Sequence, residues 1–165
     1  GGAMKAPVLV VGLGHPLMSD DGVGVRVAER LQQWPGRPAG IDVEPLGTGG
    51  VRVLHAIARR RKVVIVDGAR MGETPGTWRR FTPEAVRSGR VPRRVSVHEA
   101  DWLELLAWSR AMGECPEDVV VFGIEPACVE PGEHLSAAVA ACVDEVVKAI
   151  CEEVKGPEDH GVEND

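Results

Sequence analysis

The chain has 165 residues, 44% of them apolar and 27% charged, with a formal net charge of −6 at pH 7. That size fits one domain with one core, and the acidic balance argues against the basic footprint of a nucleic-acid binder. No apolar run approaches the roughly 20 residues that cross a bilayer, so no membrane partner is expected.

Residues 7–13 are apolar on both faces and predict a central strand. A three-to-four spacing of Val23, Val27, Leu31 and Trp34 predicts a helix over 21–34, stopped by Pro35-Gly36. A strand over 41–46 and a helix over 51–60 follow. Residues 62–66 are a β-branched strand, and 77–82 an antiparallel or edge strand after the Thr74-Pro75-Gly76 turn. Residues 83–94 read as loop, and 95–97 as a short strand or loop. A helix over 99–112, a buried strand over 119–124 and a last helix over 136–154 complete the pattern.

Alternating strands and helices mark βαβ units. The expected fold is a single three-layer α/β domain: a twisted, mostly parallel sheet of about five strands with helices on both faces. The domain is placed at residues 4–154. Residues 1–3 read as a cloning scar, and the polar stretch 155–165 as a disordered tail that carries half of the net charge. The basic run Arg59-Arg60-Arg61-Lys62 reads as a solvated helix end that suits the helix dipole. Cys115, Cys128, Cys142 and Cys151 form no C-x-x-C pair. They read as reduced, mostly buried thiols of a cytoplasmic protein.

Several strands end in polar or glycine-rich clusters, and ligands of open parallel sheets bind beyond the carboxyl ends of the strands. Asp20 and Asp21 follow the first strand, Asp67 follows Val63-Val64-Ile65-Val66, and His98 follows Val95-Ser96-Val97. Carboxylates and an imidazole converging on one edge make a metal site the leading idea. Helix capping by Asp20 or Asp21, a turn role for Asp67 and a structural role for His98 are the plainer alternatives. Gly47, Thr48, Gly49 and Gly50 form a turn open enough for a peptide backbone to approach.

A dinucleotide loop is not supported, because Gly12 and Gly14 lack the third glycine, with Leu17 in its place. No Gly-Lys-Ser/Thr P-loop occurs. Ser19 lies in no nucleophile elbow, and His98-Glu99 is not a zincin motif because Trp102 occupies the second histidine's place.

The segments Gly12-Leu-Gly-His-Pro-Leu-Met-Ser-Asp-Asp21-Gly-Val-Gly-Val-Arg26, Gly47-Thr-Gly-Gly50, Val64-Ile-Val-Asp67, Ser96-Val-His98 and Gly123-Ile-Glu-Pro126 resemble, in order, the hydrogenase maturation endopeptidases. The resemblance covers nearly the whole expected domain. It implies Asp21, Asp67 and His98 as metal ligands. It also implies an enzyme that recognises nickel carried by its substrate, the precursor of a nickel–iron hydrogenase large subunit. A short C-terminal extension is then cut off after a His or Arg near the cluster cysteines.

Zinc or cadmium is expected to enter the same site in vitro. Two positions depart from the family pattern. His15 stands where the first loop usually has Asn, and reads as an added ligand or substrate contact. Pro45-Leu46 stands where an Asp often occurs. Asp20 is the candidate catalytic residue, as general base or as support behind the ligands. Gly47, Thr48, Gly49, Gly50 and His15 are the candidate substrate-binding residues. The chain is expected to act as a cytoplasmic monomer. A non-proteolytic nickel-sensing chaperone and a self-sufficient zinc peptidase share the same ligands and stay open at this point.

Overall fold

Six consecutive buried residues, Val8–Leu13, form β1. A run with no polar alternation is buried on both faces, and β1 accordingly lies inside the sheet. It pairs in parallel with β2 (Ile41–Gly47) on one side and β3 (Lys62–Arg70) on the other. The computed structural model describes residues 4–90, 95–96 and 102–156. The strand order is β2-β1-β3-β6-β4, with β6 (Asp118–Ile124) parallel to β3 and β4 (Trp78–Phe81) antiparallel at the far edge. A two-residue strand, β5 (Val95–Ser96), pairs antiparallel with the tail of β3.

Helices cover both faces, as expected from the alternation of elements. On one face α1 (Val23–Gln32) and α5 (Ala137–Lys155) bury Val27, Leu31, Val146 and Ile150 against Val10, Val64 and Phe122. On the other, α2 (Gly50–Ile57) and α4 (Trp102–Ala111) bury Val53, Ile57, Trp102 and Leu106 against Leu9, Val11 and Ile65. None of these helices is long and apolar enough to cross a membrane among the described residues.

The structure corrects the expected elements in four places. A short helix, α3 (Pro83–Arg87), starts within the stretch read as loop. Its signal was present: Thr82 accepts a hydrogen bond from the Ala85 N–H, and Pro83 suits the first helical turn. The helix expected from residue 21 begins as a 3-10 turn, Ser19–Gly22, before α1 proper. Strand β3 runs four residues past Val66, so Asp67 lies within it. The basic run is only half solvated: Arg59 and Arg61 are exposed, Arg60 and Lys62 are not. Arg60 is buried and donates to the Ala56 and Ala6 carbonyls and to Asp42.

Lys62 is buried too, bonded to Asp118 and Glu153. Glu153 also accepts from Arg80. The Arg80 hydrogen bond, opposed by burial and helped by Lys62, holds the Glu153 carboxyl down at about 2 against an ordinary 4.5. A carboxyl whose pKa is lower in the folded chain stabilises fully above the unfolded value, and the contribution is lost as pH falls through the folded one. Glu153→Gln should therefore lower the thermal midpoint at neutral pH. It should also flatten the loss of stability between pH 4.5 and about 2, read by thermal melts across that range.

Candidate functional site

The site is built at the carboxyl ends of the parallel strands. The loop after β1 returns to the sheet because two glycines let α1 sit close. A Cβ on Gly24 would lie 2.2 Å from the Val66 carbonyl oxygen, and one on Gly12 would lie 2.2 Å from the Gly24 carbonyl oxygen. Neither position accepts a side chain without moving backbone. This close approach sets the 3-10 turn carrying Asp20 and Asp21 against β3, with which it is in contact.

The two adjacent aspartates have opposite surroundings. Asp20 is fully buried, and its carboxylate accepts from the Ala127 N–H (2.8 Å), the Cys128 N–H (3.0 Å), the Ser136 N–H (2.8 Å) and the Ser136 hydroxyl (2.8 Å). Burial pushes its carboxyl up, but the hydrogen bonds from Ser136, Cys128 and Ala127 together outweigh burial and hold it below the usual range. A carboxylate so saturated is a poor proton acceptor. Asp20 thus ties the 14–22 loop to the loop between β6 and α5, which suits the alternative of support behind the ligands better than that of general base. Backbone bonds finish the tie: Ser19 N–H to the Gly132 carbonyl, Asp20 N–H to Cys128, and Gly132 N–H to Leu17. The capping alternative also gives way, because Gly22 is the N-cap of α1 and neither aspartate caps it.

Asp21 is also buried, at 3% exposure. Oδ2 accepts from the His15 N–H at 3.1 Å, while Oδ1 has no hydrogen-bond partner among the described residues. A buried carboxylate oxygen without a donor costs free energy that a cation or a ligand donor would recover. Oδ1 lies beside Gly14, 3.6 Å from where a Cβ there would be. Gly14 in turn donates to the Gly47 carbonyl at 3.2 Å. Asp21, His15 and the 47–50 turn are therefore joined by direct contacts.

Asp67 is 1% exposed. It lies one residue beyond the last β1–β3 pair, Gly12 with Val66, while still paired with Gly123 of β6. It thus stands where the sheet opens at the end of β1. His98 lies outside the described residues. Among the described residues no three His, Cys, Asp or Glu side chains are grouped to hold a metal ion.

One buried carboxylate escaped the sequence reading as a site-shaping residue. Glu125, directly after β6, accepts from the Met71 N–H (2.7 Å) and the Glu73 N–H (3.1 Å). It anchors the chain as it leaves β3. The Gly123-Ile-Glu-Pro126 segment pointed to it, but the partners are backbone groups and leave no mark in composition.

An α/β sheet covered by helices on both faces, with buried carboxylates at its strand ends, defines the class. A model of the hydrogenase maturation protease family matches residues 25–153. The hydrogenase expression/formation protein HupD of Rhodobacter capsulatus is 31% identical over 149 residues, covering 90% of this chain and 71% of that protein. The hydrogenase 2 maturation protease of Escherichia coli K12 is 28% identical over 144 residues, 87% of each chain. The solved structure of the hydrogenase maturating endopeptidase HybD from E. coli superposes with a TM-score of 0.77 at 25% identity, over 92% of this chain and 93% of that one. The chain belongs to the hydrogenase maturation protease family, whose members are endopeptidases.

If Asp20 holds the two loops, Asp20→Ala should destabilise the fold by about 3 kcal/mol, because it strands buried donors. Thermal or urea unfolding checks this. Stability unchanged within about 0.5 kcal/mol would show the tie to be dispensable.

Proposed function

We propose that this chain removes the C-terminal extension of the nickel-loaded precursor of a nickel–iron hydrogenase large subunit, and that the substrate's own nickel is what Asp21, Asp67 and His98 recognise. The observation that carries this reading is Asp21 Oδ1, which has no hydrogen-bond partner among the described residues and is buried at the strand-end edge that also holds Asp67. His98 lies outside the described residues and is added on the family resemblance of the Ser96-Val-His98 segment.

Two carboxylates and an imidazole leave coordination positions open for an ion that arrives with its own ligands. Such an ion polarises the scissile carbonyl or acidifies a water. Zinc and cadmium offered alone are expected to compete for the same donors. The four cysteines are free, which suits a reducing compartment, and we assign the reaction to the cytoplasm and to a single copy of the chain.

The glycine turn supports a peptide groove next to these ligands. Gly47 needs its positive φ of 71°. Gly49 does not: its φ is −77°, and a Cβ there would meet only the flexible Arg52 side chain, at 3.3 Å. Gly50 has only the Leu105 side chain nearby, at 3.9 Å. The fold therefore does not require glycine at 49 or 50, and the open space suits an extended substrate segment.

Incubating the purified chain with nickel-loaded and nickel-free precursor tests the reading. A truncated product from the nickel-loaded form alone is expected. No product from either would favour a non-proteolytic nickel-sensing chaperone. Equal cleavage of both would favour a self-sufficient zinc peptidase. His98→Ala and Asp21→Asn should abolish processing while shifting stability by no more than about 1 kcal/mol. Unfolding of the His98 variant would make that residue structural. Gly49→Ala should fold and cleave, whereas Gly49→Phe should fold and fail to cleave, read by circular dichroism and by product on gels.

A further inference from the structure

His15 is exposed, yet its position is held at three points. Its N–H donates to Asp21 Oδ2 at 3.1 Å, its carbonyl accepts from the Met18 N–H at 3.0 Å, and its ring Nδ1 accepts from the Leu17 N–H at 3.2 Å. The third contact decides what the ring can do. A neutral imidazole carries one proton, so a ring whose Nδ1 accepts carries that proton on Nε2. Nε2 makes no hydrogen bond to the described residues, and it is the ring's remaining polar atom.

An imidazole that binds a metal through Nε2 must carry its proton on Nδ1. Here that proton would face the Leu17 N–H, donor against donor. The contact thus opposes metal binding through Nε2 and favours donation from it.

The location says to what. Gly14, the preceding residue, is bonded to Gly47, and Asp21 Oδ1 lies beside Gly14. His15 is therefore bonded to the candidate ligand Asp21 and follows directly on Gly14, which touches the start of the 47–50 turn at Gly47. An extended peptide lying in that turn presents backbone carbonyls as its acceptors. We propose that His15 binds the substrate peptide as a hydrogen-bond donor, from Nε2–H to a backbone carbonyl next to the cleaved bond, and is not a metal ligand. This rests on the peptidase reading above. An Asn side-chain amide can make the same donation, which makes His15→Asn the conservative variant.

The test uses the full chain. Two-bond proton–nitrogen correlation spectra of the uniformly 15N-labelled protein, recorded above neutral pH with His15→Asn for assignment, should show the Nε2–H tautomer for His15. The Nδ1–H tautomer would overturn the proposal, and this readout needs no activity. With nickel-loaded precursor, His15→Ala should raise KM about tenfold, the loss of one hydrogen bond. His15→Asn should keep KM within about threefold of wild type. Equal losses in both variants would mean that the imidazole itself is needed, and an unchanged His15→Ala would mean that the ring touches nothing. Either outcome overturns the proposal. Failure of the wild-type chain to cleave would instead remove the peptidase reading and leave the tautomer as measured.

Discussion

Everything at the candidate site hangs on how closely α1 approaches the sheet. Gly24 lies against the carbonyl oxygens of Val66 and Leu13, and Gly12 lies against Gly24. A helix normally stands off a sheet by the length of its side chains. Here it does not, and the turn that precedes it is drawn down to the level where β1 stops and β3 continues. Asp21 is thereby buried at the edge that holds Asp67. An alanine at Gly24 would have to push back the strand carbonyls or the helix, and either shift displaces the carboxylates.

A loop drawn in so tightly needs a second attachment, and Asp20 supplies it. Its four donors come from residues 127–136, more than 100 positions away in the chain. Nothing in the local pattern Met18-Ser19-Asp20-Asp21 distinguishes the two carboxylates. The distinction arises only when the loop between β6 and α5 folds over the first loop and offers its N–H groups to one of them.

That is why the fold was more legible than the site. Burial periodicity is local, so β1, β2, β6 and α5 can be read to within a residue or two from apolar spacing alone. The extension of β3 past Asp67 could not, because Gly68 and Ala69 are strand residues only through pairing with β6 and β5. Half of the basic run at 59–62 departs from the solvated reading for a related reason. Arg60 and Lys62 are buried because Asp42, Asp118 and Glu153 meet them from other elements. Charge sequence alone shows a cation, not its partner. The choice of Asp21, Asp67 and His98 came from family resemblance. The plain reading of residue types marked Asp20 equally, and geometry gave it a different task.

The two ends of the sheet now differ in a way that bears on function. At the amino ends of the strands, Lys62, Arg80, Asp118 and Glu153 saturate one another, and the charges there serve stability. At the carboxyl ends, Asp20 accepts from three backbone N–H groups and the Ser136 hydroxyl, Glu125 Oε1 accepts from two backbone N–H groups, and each residue fixes a loop. Among the described residues Glu73 Oε2, on the loop after β3, and Asp21 Oδ1 are buried carboxylate oxygens without a hydrogen-bond partner. The neighbouring loops show that this fold can supply donors to a carboxylate, and Asp20, the adjacent residue, receives four. On the reading proposed above, the Asp21 oxygen left without one among the described residues is the contact that an incoming group would complete. The hydrogen-bonded carboxylates Asp20 and Glu125 hold the loops around it in place.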